Sequence, residues 1–185
     1  MKLKRFNFKA VNSTNDTAIR LIKDLNYQSG IIIADLQKKG RGQYGKKWTS
    51  FKGNLFVSIF FNIDKINLSL RNMTKINCRL IKRLLSYYCK KNIIIKEPND
   101  LLIEKKKISG ILQETLVKSG TTFIIVGIGI NLVKSPNIEN YPTTNLLNLT
   151  NTKINKKEVI LRLIRMYEKF IPKFSNLNVI NISKI

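Results

Sequence analysis

Three glycines alternate with cations and two aromatics in Gly40-Arg41-Gly42-Gln43-Tyr44-Gly45-Lys46-Lys47-Trp48, just after an apolar run. Such a loop can wrap an anion: glycine reaches positive φ and lets backbone amides approach a ligand, while Arg41, Lys46 and Lys47 supply fixed charge. A phosphate suits it best, although an ordinary exposed loop carries the same residue types. The chain contains no histidine, which removes Ser–His and Cys–His nucleophile pairs and the commonest general base. Catalysis here must run largely on charge stabilisation. That regime suits an ionised nucleophile with a good leaving group, such as a carboxylate attacking a nucleotide phosphate. Two cysteines without histidine fall short of the usual zinc ligand set. Cys78 and Cys89 also read as lying on one helix, about 16 Å apart along its axis, too far to bridge.

The elements that must position this chemistry are legible in the patterning. Leu3 to Phe8 alternates weakly, as an edge strand does, and Asn12-Ser13-Thr14-Asn15-Asp16 is a cluster of capping residues. A helix is expected from there to about Leu25, with Ala18, Leu21, Ile22 and Leu25 as its buried stripe. Ser13-Thr14-Asn15 reads either as a plain N-cap or as short polar groups beside a ligand. Gly30 to Asp35 is a β-branched strand feeding the glycine loop, with Gln37 at its exit. Asn54 to Phe61 is apolar on both faces and so central in a sheet.

From about Asn67 to Lys90 the period turns helical, with Met73, Ile76, Leu80, Leu84 and Tyr87 or Tyr88 on one face. Ile93 to Ile95 is a short strand, and Pro98-Asn99-Asp100 follows as a turn. Leu101 to Ile103 and Ile108 to Leu116 form a hairpin around Glu104-Lys105-Lys106. Phe123 to Ile128 is the next strand, where Gly127 and Gly129 leave bare backbone on one face for a ligand or another strand. A loop, a short helical piece and a helix from about Asn155 to Phe170 complete the pattern, the last with Leu161, Ile164, Tyr167 and Phe170 or Ile171 as its stripe. The final dozen residues are polar and weakly patterned. Together these elements predict one α+β domain with a mixed, mostly antiparallel sheet packed with helices.

Composition bounds the rest. The 185 residues are 43% hydrophobic, enough for one domain with a full core. Lys+Arg total 34 against 11 Asp+Glu, a formal net charge of +23. The lysines are scattered among abundant Ile and Asn, a joint bias expected of an AT-rich genome, and they will draw acidic macromolecules most strongly at low salt. No apolar run approaches the roughly 18 residues of a membrane span, and Lys2, Lys4, Arg5 and Lys9 leave no signal-peptide core. A cytoplasmic location is expected.

Four segments in order resemble the catalytic domain of biotin protein ligases. They are Ser13-Thr14-Asn15; the glycine loop through Trp48; Pro98-Asn99-Asp100 followed by Lys107-Ile108-Ser109-Gly110-Ile111-Leu112; and Gly127-Ile128-Gly129-Ile130-Asn131. The likeness runs from about Val11 to Leu132 and more faintly through the last long helix. It implies a class II synthetase-like catalytic domain over residues 1–172, with 173–185 a short tail. It also implies a two-step reaction. The biotin carboxylate attacks the α-phosphate of ATP to give biotinyl-5′-AMP, and a lysine of a biotin carboxyl carrier protein, from acetyl-CoA carboxylase or a related carboxylase, then takes the biotinyl group. Mg²⁺ carried on the ATP phosphates, with no dedicated protein metal site, would neutralise the leaving pyrophosphate.

The resemblance assigns roles by position. Ser13, Thr14 and Asn15 would hydrogen-bond the biotin ureido group with Gln37 beside them, and Gly110 would back the same ligand. Arg41, Gly42 and Gln43 would close over biotin and phosphate. Lys107 would bridge the biotin carboxylate and α-phosphate, where negative charge accumulates, and Asp100 would assist the incoming amine. Lys46, Lys96, Asn99 and Asn131 would serve the nucleotide and its Mg²⁺, with Trp48 packed on adenine or anchoring the loop.

Two departures stand out. Gln43 replaces the fourth residue of the usual G-R-G-R, which predicts looser retention of the adenylate than in an Arg-bearing relative. Glu97 replaces tryptophan before Pro-Asn-Asp and is expected to pair with Lys96. Members of this family can also carry an N-terminal winged helix-turn-helix and a C-terminal β-barrel. The chain opens at the catalytic domain and too few residues follow Pro172 for a barrel, so neither module, nor specific DNA binding, nor a membrane partner is expected. A homodimer is left open. Lipoate-type ligases share the chemistry but carry an R-R-x-x-G-G-G motif that is absent here, and a basic nucleic-acid-binding module is favoured by charge alone.

Overall fold

The computed structural model describes residues 1–66 and 68–176. The N-terminal strand forms as β1 (Lys4–Phe8), and α1 (Thr14–Leu25) follows, capped by Ser13, whose side chain accepts from the Asp16 amide. β2 (Ser29–Ala34) leads into the glycine loop, and β3 (Leu55–Asn62) comes after it. α2 (Leu70–Ser86) is capped by Ser69, so it starts later and stops earlier than its apolar period suggests. Cys89 therefore lies beyond the helix that carries Cys78, and both thiols are buried and free. The predicted helix start at Asn67 lies outside the described residues. Of the two tyrosines that close the stripe, Tyr88 packs against the core and Tyr87 is exposed.

β4 (Ile93–Lys96), β5 (Asp100–Ile103), β6 (Lys106–Lys118) and β7 (Thr121–Ile130) complete one seven-stranded sheet of order β1-β2-β3-β7-β6-β5-β4. Among the described strands, only β1 and β2 pair in parallel; every other neighbour is antiparallel. The expected mixed, mostly antiparallel α+β sheet is what forms, with β1 at an edge and β3 inside. The β5–β6 turn is tighter than expected: Glu104 and Lys105 take positive φ, and Lys106 already belongs to β6.

α3 (Leu146–Thr150) and α4 (Lys156–Phe170) follow the sheet. The buried stripe of α4 is Val159, Leu163, Ile164 and Tyr167, while Leu161 is exposed, contrary to the sequence reading. Successive three-residue steps rotate about 60° backwards around a helix, so a stripe counted in threes walks off the buried face. Beyond α4, Phe174 is buried against Phe61 and Phe170. The rest of the predicted tail, from 177 on, lies outside the described residues.

The two faces of the sheet carry separate cores. One gathers Ile31, Val57, Ile59, Val126 and Ile128 with α2 and α4. The other is smaller and sets Ala18, Leu21 and Ile22 of α1 on Ile32, Phe60, Phe123 and Ile125. No described helix is long and apolar enough to cross a membrane.

Candidate active site

On the α1 face the strand positions change character. Toward the C-terminal end of β7, Phe123 and Ile125 give way to Gly127 and Gly129. Their partners are Ser58 and Leu112 in one row, Phe56 and Gly110 in the next. A β-carbon on Gly127 would overlap the Asn15 carboxamide, and one on Gly129 the Trp48 ring. One on Gly110 would come within 2.8 Å of that indole. The bare backbone foreseen on this strand thus forms a floor beneath two side chains expected at the site.

Above that floor lies a cavity of about 750 Å³. Every residue assigned a role from the sequence lines it: Ser13, Thr14, Asn15 and Gln37 from one wall, the loop residues Arg41 to Tyr44 and Lys46 to Trp48 from above, and Lys96, Asn99, Asp100, Lys107, Gly110 and Asn131 from the other side. Segments far apart in the chain meet here because β6 and β7 pair at the centre of the sheet, while α1 and the loop after β2 cover them.

The polar wall is tightly connected. Thr14 donates from N and Oγ1 to Gln37 Oε1 at 2.8 and 3.0 Å. Ser58 Oγ lies 2.7 Å from Thr14 Oγ1 and 2.5 Å from Asn15 Oδ1, and Asn15 Nδ2 donates to the Leu112 carbonyl at 3.1 Å. Ser13 caps α1, as the plain reading has it, while Thr14 and Asn15 line the cavity.

Lys107 reaches the opposite wall through a β-bulge. Leu101 pairs with Ser109 and Leu102 with Lys107, so Ile108 is the extra residue. Strict alternation from Gly110 would send Lys107 to the α2/α4 face. The bulge lets Ile108 and Ile111 both enter that core while Lys107 turns to the cavity. Its backbone bonds to the loop before α3, donating to the Pro142 carbonyl at 2.8 Å and accepting from the Thr144 amide at 2.9 Å. Lys107 Nζ lies 2.8 Å from Asp100 Oδ1, an ion pair by distance whose angles fall short of a hydrogen bond. It also sits 5.3 Å from the Trp48 ring centroid and 5.5 Å from that of Tyr141. Tyr141 donates to Asp100 Oδ2 at 2.6 Å, and burial, then that carboxylate, push its phenol pKa up. Nearby, burial followed by the charges of Asp100 and Glu97 pushes the Cys78 thiol up to about 12, so it is no nucleophile.

Three findings differ from expectation. Glu97 does not pair with Lys96. It joins Lys75 at 3.0 Å and Arg71 at 3.3 Å, which hold its carboxyl below the usual range, while Lys96 Nζ lies 4.5 Å from the Tyr141 ring. The glycine loop folds partly on itself, with Gly42 N–H donating to Lys46 O and Trp48 N–H to Gly40 O, so those amides face inward rather than toward an anion. Arg41 is held by two carboxylates, Asp16 and Glu114. Glu114 and Tyr141 escaped the sequence reading. Only the alternation Gly110, Leu112, Glu114 on one face of β6 pointed to the former, and nothing local pointed to the latter.

Residues 7–131 match the model of the biotin/lipoate A/B protein ligase family. The chain belongs to that family. It is 31% identical to the bifunctional ligase/repressor BirA of Escherichia coli over 124 residues, which is 66% of this chain and 38% of that protein. It is 30% identical to the biotin–[acetyl-CoA-carboxylase] ligase of Paracoccus denitrificans over 128 residues, 68% of this chain and 53% of that one. Among solved structures, the biotin protein ligase of Aquifex aeolicus in complex with biotin and ATP superposes with a TM-score of 0.79 at 28% identity, covering 94% of this chain and 72% of that chain. The chain spans about half the length or less of these curated relatives. Within this family, the ligase-type sheet is the scaffold on which the cavity residues above are set.

Proposed function

We propose that this chain is an ATP-dependent biotin ligase, which activates biotin as biotinyl-5′-AMP and passes it to a lysine of a biotin carboxyl carrier protein. The observation that carries the reading is the cavity's division of labour. A neutral hydrogen-bonding wall of Thr14, Asn15 and Gln37 suits a ureido group, and it faces a cationic wall of Lys107 and Lys96 suited to a carboxylate and a phosphate. The relatives named as biotin ligases, and the neighbour holding biotin with ATP, support the same assignment.

In this reading Lys107 stabilises the charge that builds between carboxylate and α-phosphate. Asp100 and Tyr141 fix where its ammonium points, and Asp100 is the carboxylate placed to take a proton as the carrier amine attacks. Trp48, over Gly110 and Gly129, offers an aromatic surface to the nucleotide, with its buried indole N–H lacking a partner among the described residues. The described residues hold no cluster of three or more acidic, cysteine or histidine groups, and the carboxylates of Asp100 and Glu97 are engaged by cations. That donor set fits a Mg²⁺ brought by nucleotide phosphates, which would supply neutralisation of the leaving pyrophosphate. The net positive charge would steer an acidic carrier toward this surface.

The test is to incubate the protein with biotin, Mg-ATP and a carrier domain and to follow the carrier by mass. Addition of one biotinyl group is expected. Lys107→Ala should slow it by about 10²–10³-fold while leaving the far-ultraviolet spectrum unchanged. An unlabelled carrier sinks the proposal, and an unaffected Lys107→Ala variant sinks the role of that ammonium.

A further inference from the structure

Glu114 lies on the cavity face of β6, two residues beyond Leu112. Its carboxylate is shared between two elements. Oε1 accepts from Arg41 Nη1 at 2.9 Å, while Oε2 accepts from Arg41 Nη2 at 2.8 Å and from Asn15 Nδ2 at 2.6 Å. Arg41 Nη2 also donates to Asp16 Oδ1 at 2.7 Å. One side chain of the central sheet therefore ties the glycine loop to the first turn of α1, across the cavity they cover.

The geometry makes this more than a surface ion pair. The contact is bidentate and charge-assisted, the form that fixes orientation most firmly. The Glu114 side chain is 26% exposed against 50% for Asp16, so water screens the Glu114 arm less. The Arg41 guanidinium pKa is raised, chiefly by its hydrogen bond to Glu114. Two carboxylates surround this guanidinium, which leaves Lys46, Lys47, Lys96 and Lys107 as the lining cations with no carboxylate-only enclosure of that kind.

We propose that Glu114 is a positioning residue for the reaction assigned above, holding the glycine loop over the cavity through Arg41 and holding the Asn15 amide in place. Arg41 then acts as the tether of the loop rather than as a direct ligand of substrate charge. This rests on the ligase reading for its kinetic arm. The mechanical arm stands on the ion pairs alone.

The two roles of Arg41 separate in a double-mutant cycle of Glu114→Gln and Arg41→Met in the full chain. Glutamine keeps the shape of Glu114 and an acceptor for Asn15 but removes the charge. If Arg41 is a tether, hydrogen exchange of the Gly42, Lys46 and Trp48 amides in the protein alone should rise about tenfold in either single variant. Exchange in β3 should stay unchanged, which separates loop release from general loosening. Release of preloaded biotinyl-5′-AMP should quicken about tenfold in each single variant and by no more than about twofold further in the double. Asp16→Asn, which removes the more exposed arm, should move both readouts the same way by a smaller factor.

Unchanged loop exchange in Glu114→Gln overturns the tether. So do single effects that multiply to about a hundredfold in the double, because independent contributions add as free energies. If the parent protein holds no biotinyl-5′-AMP, the ligase reading fails while the exchange arm still judges the ion-pair tether.

Discussion

On the α2/α4 face of β7, Ile124, Val126, Ile128 and Ile130 are all buried against helices. On the opposite face the same strand sets Phe123 and Ile125 under α1, then Gly127 and Gly129 under the cavity. Each apolar side chain fully buried on the first face contributes about 1.5–3 kcal/mol. Two consecutive inward positions on the second face forgo that contribution. What they provide is room: the Asn15 carboxamide and the Trp48 indole occupy the space a β-carbon would fill. One strand thus serves stability with its even-numbered residues and the site with two of its odd-numbered ones.

Neighbouring substitutions break this comparison cleanly, beginning with the larger effect. Ile128→Ala should lower unfolding free energy by about 3 kcal/mol through lost burial and a residual cavity. Biotin affinity should stay within about twofold, since the side chain points away from the ligand face. Chemical denaturation and calorimetric biotin titration check both halves. A variant that lost affinity in step with stability would show that the faces are not separable.

Gly127→Ala should act mainly on binding. Displacing Asn15 from Ser58 and Glu114 disturbs several hydrogen bonds at about 1 kcal/mol each, so biotin affinity should fall about thirtyfold. The melting temperature should also fall, though less than in Ile128→Ala, because alanine removes some of glycine's unfolded-state freedom and so offsets part of the lost hydrogen bonding. Unaltered affinity would mean that the contact beneath Asn15 does not shape the binding wall.

The same contrast explains what was legible in the sequence. The α2/α4 face follows period rules, so the strands and helices of that layer could be read from Ile, Leu and Val spacing. The exception is α4, where steps of three drift from the 3.6-residue turn and so included Leu161. The site face breaks the rules that make patterns readable. Ile108 is a bulged residue that re-aims Lys107, and alternation alone would have placed that lysine on the wrong side. Lys107 was found through motif resemblance instead. Glu114 and Tyr141 act through contacts with residues 73 and 41 positions away, and no local pattern encodes such distances. Glu97 was expected to pair with its sequence neighbour Lys96, but it lies in the turn just past β4, where Arg71 and Lys75 of α2 supply its partners instead.

Two tyrosines offer the finest test of how the faces differ. Tyr167, on α4, is fully buried and donates to Asn77 Oδ1 at 2.9 Å; burial first, then the charge of Cys78, raises its pKa. Tyr141 is raised by burial and then by Asp100. The sign follows from proton counting. Below the ordinary phenol value of about 10, both groups are neutral folded or unfolded, and pH changes nothing through them. Above it, the unfolded phenols release protons that the folded ones keep, so the unfolded state binds fewer protons and stability falls as pH rises. Ultraviolet difference titration should therefore show a late-ionising fraction of the six tyrosines, with the melting temperature declining over the same alkaline range. Asp100→Asn should bring the Tyr141 part of that fraction to lower pH and leave the Tyr167 part in place, because one depends in part on a charge in the site and the other on the apolar layer. If both parts moved together, the two faces would share one electrostatic environment and the division drawn along β7 would not hold.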